Sequence, residues 1–269
     1  MVISSLVLIP LALATRRDEL RHIRPRSALV AGLAGFLLAA HFITWISSLE
    51  YTSIASSAAL VTTNPIWVGL ATIFLFKEKL ARLTVVGIAI SLLGCLLIIW
   101  ADVQTSVPDN GAFGRQPLLG NMLALAGAMC VSAYLLTGRQ VAARFSLLAY
   151  VTLVYSAAAA MLLVVALAAG VELWRYPAAA WWALAGLALG PQLIGHTAFN
   201  WSLRRLSPTF VALSILGEPV GSAVLASLLF TEVPGGLQMV AFGTLLGGIV
   251  VAALGEGQAT RPETPSVAA

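Results

Sequence analysis

The sequence predicts an all-α polytopic membrane protein, and three observations carry that expectation: composition, apolar runs that recur along the chain, and positive charge sorted into alternate loops. Of 269 residues, 59% are hydrophobic and 10% charged, with a mean hydropathy of +0.94. A soluble domain of this length could not hide so much apolar surface in one core. The net charge of +4 does not point to nucleic acid, because the basic residues lie in loops between apolar runs. Cys95 and Cys130 both fall inside such runs, which reads as packing and not as a disulfide or metal framework. No cofactor or metal is expected.

Residues 1–15 are apolar but fall short of the about 20 residues that a spanning helix needs. Ala12-Leu13-Ala14 resembles a signal-peptide cleavage site. No Lys or Arg precedes the run and a basic cluster follows it, so a clipped span is expected instead. Residues 27–49, 53–76 and 80–101 are each long enough to span with some tilt. Residues 102–116 carry Pro108, Asp109, Asn110 and Gly111 and read as a turn-forming linker. Further spans are expected at 117–137, 146–171, 178–201, 207–230 and 233–254, making nine. The tail 255–269 is rich in Gly, Pro, Thr and Glu and is expected to be a disordered cytoplasmic segment.

Loop charge tests this list independently of hydropathy. With alternating spans, Arg16, Arg17, Arg21, Arg24, Arg26, Lys77, Lys79, Arg82, Arg139, Arg144, Arg204, Arg205 and Arg261 fall on one side, and only Arg115 and Arg175 on the other. The split is 13 to 2 of the 15 basic residues. The positive-inside rule then puts the amino terminus outside and the carboxyl terminus in the cytoplasm of a multi-pass inner-membrane protein. Trp100, Trp174 and Trp181 sit at span edges, as interfacial aromatics do.

Within the span 207–230 lie Glu218 and Pro219. A buried acid costs about 2.5–3.5 kcal/mol on insertion scales, so it usually faces a bundle interior. Steps of about 100° place Ser207, Ser214, Glu218 and Ser222 on one stripe of a helix. Pro219 removes an N–H and frees the carbonyl of Ile215. A shift of 219 − 65 = 154 residues superposes Pro65 on Pro219, Ser53 on Ser207, Phe76 on Phe230, Glu78 on Glu232 and Gly94 on Gly248. One residue more, 155, places His41 on His196. Lys77 and Lys79 put their turn inside, whereas the turn at Thr231 and Glu232 lacks basic residues. Oppositely oriented repeats with interrupted helices at equivalent positions are the signature of a secondary transporter.

These residues carry a family resemblance: Glu218-Pro219 in mid-helix, the run Leu228-Leu229-Phe230-Thr231-Glu232, and a degenerate copy in Asn64-Pro65 and Phe76-Lys77-Glu78. The chain resembles the drug/metabolite transporter superfamily, in its EamA-like exporter branch, over nearly its whole length. The resemblance implies ten helices in inverted five-helix repeats. Residues 1–101 would form the first repeat without its first helix, 102–116 the linker and 117–254 the second repeat. Nothing upstream mirrors residues 117–137, so either the start is truncated or this is a nine-helix variant.

Gln192, His196 and Asn200 recur at i, i+4 and i+8 on the span 178–201 and form the richest polar face in the chain. His41 and Trp45 form the equivalent pair in the first repeat, and Ser53, Ser57, Asn64 and Trp67 share a face of the next helix. If the family arrangement holds, His41, Trp45, Asn64, Gln192, His196, Asn200, Ser214 and Glu218 line a central substrate cavity, with Tyr134 and Tyr155 as weaker wall candidates. Glu218 is the candidate for proton coupling, and Pro65 and Pro219 are the candidate hinges. Each residue also has a plainer role: Ser53, Ser57, Ser207 and Ser222 read first as packing residues, and the tryptophans as space-filling. The histidines could cap helix contacts, and Glu218 could be a hydrogen-bonded structural acid. The glycine pairs Gly186/Gly190, Gly217/Gly221 and Gly243/Gly247 read as points of close helix approach.

Apart from Arg82 at the edge of the span 80–101, no Lys or Arg falls within a span, so no fixed cation is offered to a phosphate or dicarboxylate deep in the bundle. A small neutral, zwitterionic or cationic metabolite, such as an amino acid or drug-like solute, is the expected cargo of an exporter working by alternating access. The expected partners are that solute and the lipid bilayer, with a second copy in a homodimer as a further candidate and nucleic acid as none. The chain is not expected to be an enzyme, since it holds no His-Glu-x-x-His or Gly-x-Ser-x-Gly motif. A transport-incompetent, scaffold-like membrane protein is the alternative that the missing helix raises.

Overall fold

The computed structural model describes residues 1–75, 77, 80–105, 116–142, 144–202 and 217–259. Every regular element among them is helical: α1 (Val2–Thr15), α2 (Arg17–Arg21), α3 (Pro25–Ser48), α4 (Ile54–Val61), α5 (Asn64–Phe74), α6 (Arg82–Thr105), α7 (Pro117–Ala142), α8 (Leu147–Ala168), α9 (Ala178–Leu187), a π-helical segment (Ala188–His196), α10 (Thr197–Ser202), α11 (Gly217–Phe230) and α12 (Gly236–Ala259). Among the described residues, 7 stretches are long and apolar enough to cross a membrane, and two of them are interrupted helices. The remaining two expected spans appear as shorter apolar helices, Val2–Thr15 and Glu218–Phe230, the second because residues 207–216 lie outside the described set.

The interruptions have local causes. Pro65 stands in the first turn of α5 and has no N–H to continue a helix from α4, so the chain turns at Thr62 and Thr63. Threonine hydroxyls bond the carbonyls of the last turn before the break: Thr62 Oγ1 donates to those of Ala58 and Ala59 at 3.0 Å, and Thr63 Oγ1 to that of Leu60 at 2.6 Å. Downstream, Pro191 falls within residues expected to be one α-helix. The chain widens instead to i→i+5 bonding from Ala188 to His196, which relieves the clash that proline would make with the preceding turn.

Contacts divide the chain into two compact units, Met1–Ile46 with Met129–Arg205, and Ser47–Ala128 with Leu206–Ala269. Each draws on both halves of the sequence. In the first unit, α1 and α3 pack on α8 around Leu8, Ala34, Leu38, Tyr134, Val154 and Tyr155. Gly35 permits this approach, since a β-carbon there would lie 2.6 Å from both the Val154 carbonyl and Ala157 Cβ. Glu19 of α2 ties the unit's loops together: its carboxylate accepts the Ser146 amide at 2.6 Å and the Ser146 hydroxyl at 2.7 Å, at the start of α8.

The second unit is built on α6 and α12, which pack along their length. They run antiparallel, as Thr84 meets Gly255, Gly87 meets Ala252, Ser91 meets Gly248, and Gly94 meets Leu245. A β-carbon at Gly87, Gly94, Gly248 or Gly255 would overlap the facing backbone, so these glycines set the helix separation. Among the described residues, Gly186, Gly190, Gly221, Gly243 and Gly247 have no such neighbour, so nothing described there shows the close approach expected of them. The spacing of small residues alone does not say which face of a helix meets a partner.

The expected linker also begins too early. Helix α6 continues to Thr105 and Asp102 is buried on it, 5% exposed. Its carboxylate accepts hydrogen bonds from Ser56 Oγ (3.0 Å) and Gln238 Nε2 (2.7 Å) at Oδ1, and from Asn121 Nδ2 (2.8 Å) and Thr52 Oγ1 (3.3 Å) at Oδ2. Because every donor the acid needs is supplied, the helix can carry it inside. Helix α12 likewise extends past Gly255 to Ala259, and residues 260–269 lie outside the described set.

Candidate functional site

The polar residues expected on α3 and on the span from Ala178 meet in the first unit. Helix α3 brings Trp45 beside both His41 and Phe42 because residues three and four apart share a side of an α-helix. The His41 and Trp45 rings stack at 5.6 Å between centroids with 23° between planes. Phe42 lies 5.0 Å from His41 and 6.2 Å from Trp45, and 5.5 Å from His196 at the end of the π-helical segment. The two histidines matched by the repeat thus flank one phenylalanine. His41 is buried, while Trp45 and His196 are half-buried.

Asn200 lies one turn beyond His196 on α10 and is also buried. Its Nδ2 donates to the His196 carbonyl at 2.8 Å and to the Tyr155 hydroxyl at 3.4 Å, and its Oδ1 accepts from the Tyr134 hydroxyl at 2.9 Å. Both amide hydrogens are therefore engaged, and Asn200 fixes the turn that presents His196. Tyr134 and Tyr155, which sequence reasoning ranked low, are the partners that hold it. Gln192 differs: it is 6% exposed and, among the described residues, its Nε2 has no hydrogen-bond partner. A buried amide with an unused N–H pair is costly unless water or a ligand completes it. The π-helical segment also changes the expected stripe, since Gln192 and His196 are not related by an α-helical turn.

The other candidates lie in the second unit. Asn64 and Pro65 occupy the first turn of α5, just after the break, with Asn64 buried. The indole of Trp67 donates to Thr63 Oγ1 at 3.1 Å, and Ser57 bonds Ser48 at 2.6 Å, so both serve packing. Ser53 is the N-cap of α4, its side chain accepting the Ser56 amide. These roles break up the single face expected for Ser53, Ser57, Asn64 and Trp67. Glu218 stands exposed in the first turn of α11 beside buried Pro219, and Ser214 and Ser207 lie outside the described residues. Among the described residues, no group of three His, Cys, Asp or Glu side chains is placed to hold a metal.

Two polar centres escaped the sequence reading. Asp102 with its donors was hidden because it borders a loop-like stretch. The recurrence of an acid 154 residues later, at Glu256, was a usable signal. The Glu19–Ser146 clamp joins residues 127 apart and left no local signal.

Comparison with known proteins identifies relatives. The model of the EamA-like transporter family matches residues 1–100 and 118–254. The uncharacterized transporter YyaM of Bacillus subtilis (strain 168) is 22% identical over 187 residues, 69% of this chain and 60% of the relative. The uncharacterized transporter YetK of the same organism is 28% identical over 114 residues, 42% of this chain and 32% of the relative. The matches thus span less than two thirds of either relative. A crystal structure of a protein with 23% identity has the same fold at a TM-score of 0.64, covering 96% of this chain and 86% of the other.

Proposed function

Because the chain belongs to the EamA-like transporter family, we propose that it is an inner-membrane exporter of small neutral, zwitterionic or cationic metabolites that works by alternating access. The observation that carries this reading is the cluster of His41, Phe42, Trp45 and His196 in a membrane-spanning unit, with the amide of buried Gln192, unpartnered among the described residues, on the same π-helical segment as His196. Ionisable side chains such as histidine are expensive inside an apolar bundle and commonly mark solute pathways. The cluster holds rings and hydrogen-bonding groups but no fixed charge from Lys or Arg. It therefore suits a solute that brings its own balanced or positive charge.

An inverted repeat is the proposed basis of the motion, with residues 1–101 and 117–254 as its copies. Three features support it. Helices α6 and α12 are antiparallel and meet reciprocally, Gly94 on Leu245 and Gly248 on Ser91, each pair being the other displaced by 154 residues. Lys77 and Thr231, again 154 apart, are the two non-glycine residues with positive φ among those described, at 55° and 58°. The interruptions at Pro65 and Pro191 supply places where spans can flex. A cytoplasmic carboxyl terminus follows from the loop charges. Asn64, Ser214 and Glu218 remain candidate contacts, and Pro219 a candidate hinge, on the sequence grounds given above. Glu218 is the proposed proton carrier.

Binding tests the site directly. In detergent, an amino acid or organic cation that is a substrate should raise the melting temperature of the full chain. Gln192→Ala or His196→Ala should remove that rise while leaving the ligand-free melting temperature within a few degrees. A panel of amino acids and organic cations that leaves the melting temperature unmoved would speak against this cargo class.

A further inference from the structure

Between α1 and α3 the chain carries Arg16, Arg17, Arg21, Arg24 and Arg26 within residues 16–26, and all five are exposed. Among the described residues the one ion pair is Arg175 with Glu172, so none of the five is paired with a described carboxylate. The acids nearest in sequence do not help. Glu19 spends both carboxylate oxygens on Ser146, and Asp18 stands exposed on α2, its backbone carbonyl accepting the His22 ring at 2.7 Å. Through the Glu19–Ser146 bonds, α2 is fixed against the start of α8, where Arg144 is also exposed two residues before Ser146. Of the helices on either side, the one beginning at Pro25 is long and apolar enough to cross a membrane, and the one ending at Thr15 is apolar but shorter. The six exposed cations thus flank the ends of apolar helices in the first unit, where a bilayer's headgroups would meet them.

The positive-inside rule accounts for the sign of this charge but not for its concentration in one short segment, nor for a carboxylate committed to holding that segment in place. We propose that α2 and its flanks form a platform for anionic phospholipid headgroups, and that the Glu19–Ser146 clamp makes lipid binding there stabilise α8 and the core around Tyr155. Juxtamembrane basic clusters attract anionic lipid by charge, with an effect that adds per residue and fades within a Debye length. Arginine also donates in pairs to phosphate oxygens. The occupant is a phosphodiester headgroup in the leaflet, since apolar helices flank the patch on both sides and the one beginning at Pro25 is long enough to cross a membrane. This inference does not depend on the identity of the transported solute.

The test places the full chain in nanodiscs and measures its selectivity for spin-labelled phosphatidylglycerol over spin-labelled phosphatidylcholine, at low and high salt. Phosphatidylglycerol is expected to be preferred at low salt, with the preference lost at high salt. Arg21→Gln and Arg24→Gln should each reduce it about fivefold. The corresponding lysine substitutions should restore it, and Arg175→Gln should leave it unchanged. Glu19→Ala keeps every arginine, so it should retain selectivity yet lose the rise in melting temperature that phosphatidylglycerol confers on the unaltered chain. Equal retention of both lipids overturns the platform, as does wild-type selectivity in the Arg21→Gln/Arg24→Gln double variant. Salt-sensitive capture of an acidic cytosolic protein without lipid selectivity would assign the patch to a protein partner and overturn it too. Should Glu19→Ala keep the lipid-dependent melting shift, the coupling to α8 is wrong.

Discussion

Thr231 adopts φ of 58° at the turn before α12, a conformation that costs a β-branched residue about 1–2 kcal/mol. Asparagine tolerates this region, so Thr231→Asn should raise thermal stability by up to about 1 kcal/mol, read from melting of the purified protein. Glu232, the next residue, accepts the Ile54 amide at 3.0 Å at the start of α4. Burial raises its pKa above the usual 4.5, against the opposing pull of that hydrogen bond. A carboxyl whose folded pKa is raised binds its proton more tightly folded than unfolded. Its contribution to stability is therefore fully present below pH 4.5 and is lost as pH rises through the raised pKa. Glu232→Gln, which keeps an acceptor for Ile54, should flatten that part of the stability profile and leave the variant the more stable at neutral pH. Melting curves across the window check both statements. Reading the sequence brought out the histidines and Trp45, whose side chains are rare within apolar runs. It could not separate Gln192 from Asn200, because that distinction depends on Tyr134 and Tyr155, distant in the chain.

Helices were readable as runs of apolar residues, but their interruptions were only partly so. Proline marks both breaks, at Pro65 and Pro191, and the sequence pointed to the first through its repeat mate. The second was missed because hydropathy does not distinguish α from π bonding. Pro191→Ala removes the cause of the widened turn and should shift the segment toward α-helical bonding, moving Gln192 relative to His196. Spin labels at exposed positions on either side of the segment would report the shortened register as a changed distance. The α6–α12 contact makes a sharper demand. Gly94→Leu forces a side chain into the backbone of Leu245 and should destabilise the protein by about 1–3 kcal/mol or more. Gly243→Leu, where α12 meets no described neighbour, should have little effect. Asp102 belongs to this scale as well, since it binds donors from α4, α7 and α12 and from Thr52, which precedes α4. Asp102→Ala strands several buried donors and should cost on the order of 3 kcal/mol or more in the same melting assay.

At the scale of the whole chain, hydropathy and loop charge pointed to a polytopic helical membrane protein, and the family match and the fold agree with that class. Class was legible because lipid imposes one rule on every span. Solute identity was not, because the proposed site rests on a few side chains at breaks and within a π-helical turn, and no periodic pattern encodes those. The most direct measurement is uptake of labelled amino acids and organic cations into proteoliposomes holding the full chain, compared with Gln192→Ala and with His196→Ala. The account predicts saturable uptake of at least one such solute by the unaltered protein, reduced tenfold or more in both variants although they fold. Saturable uptake that both folded variants retain in full would contradict it, as would the absence of uptake across the panel.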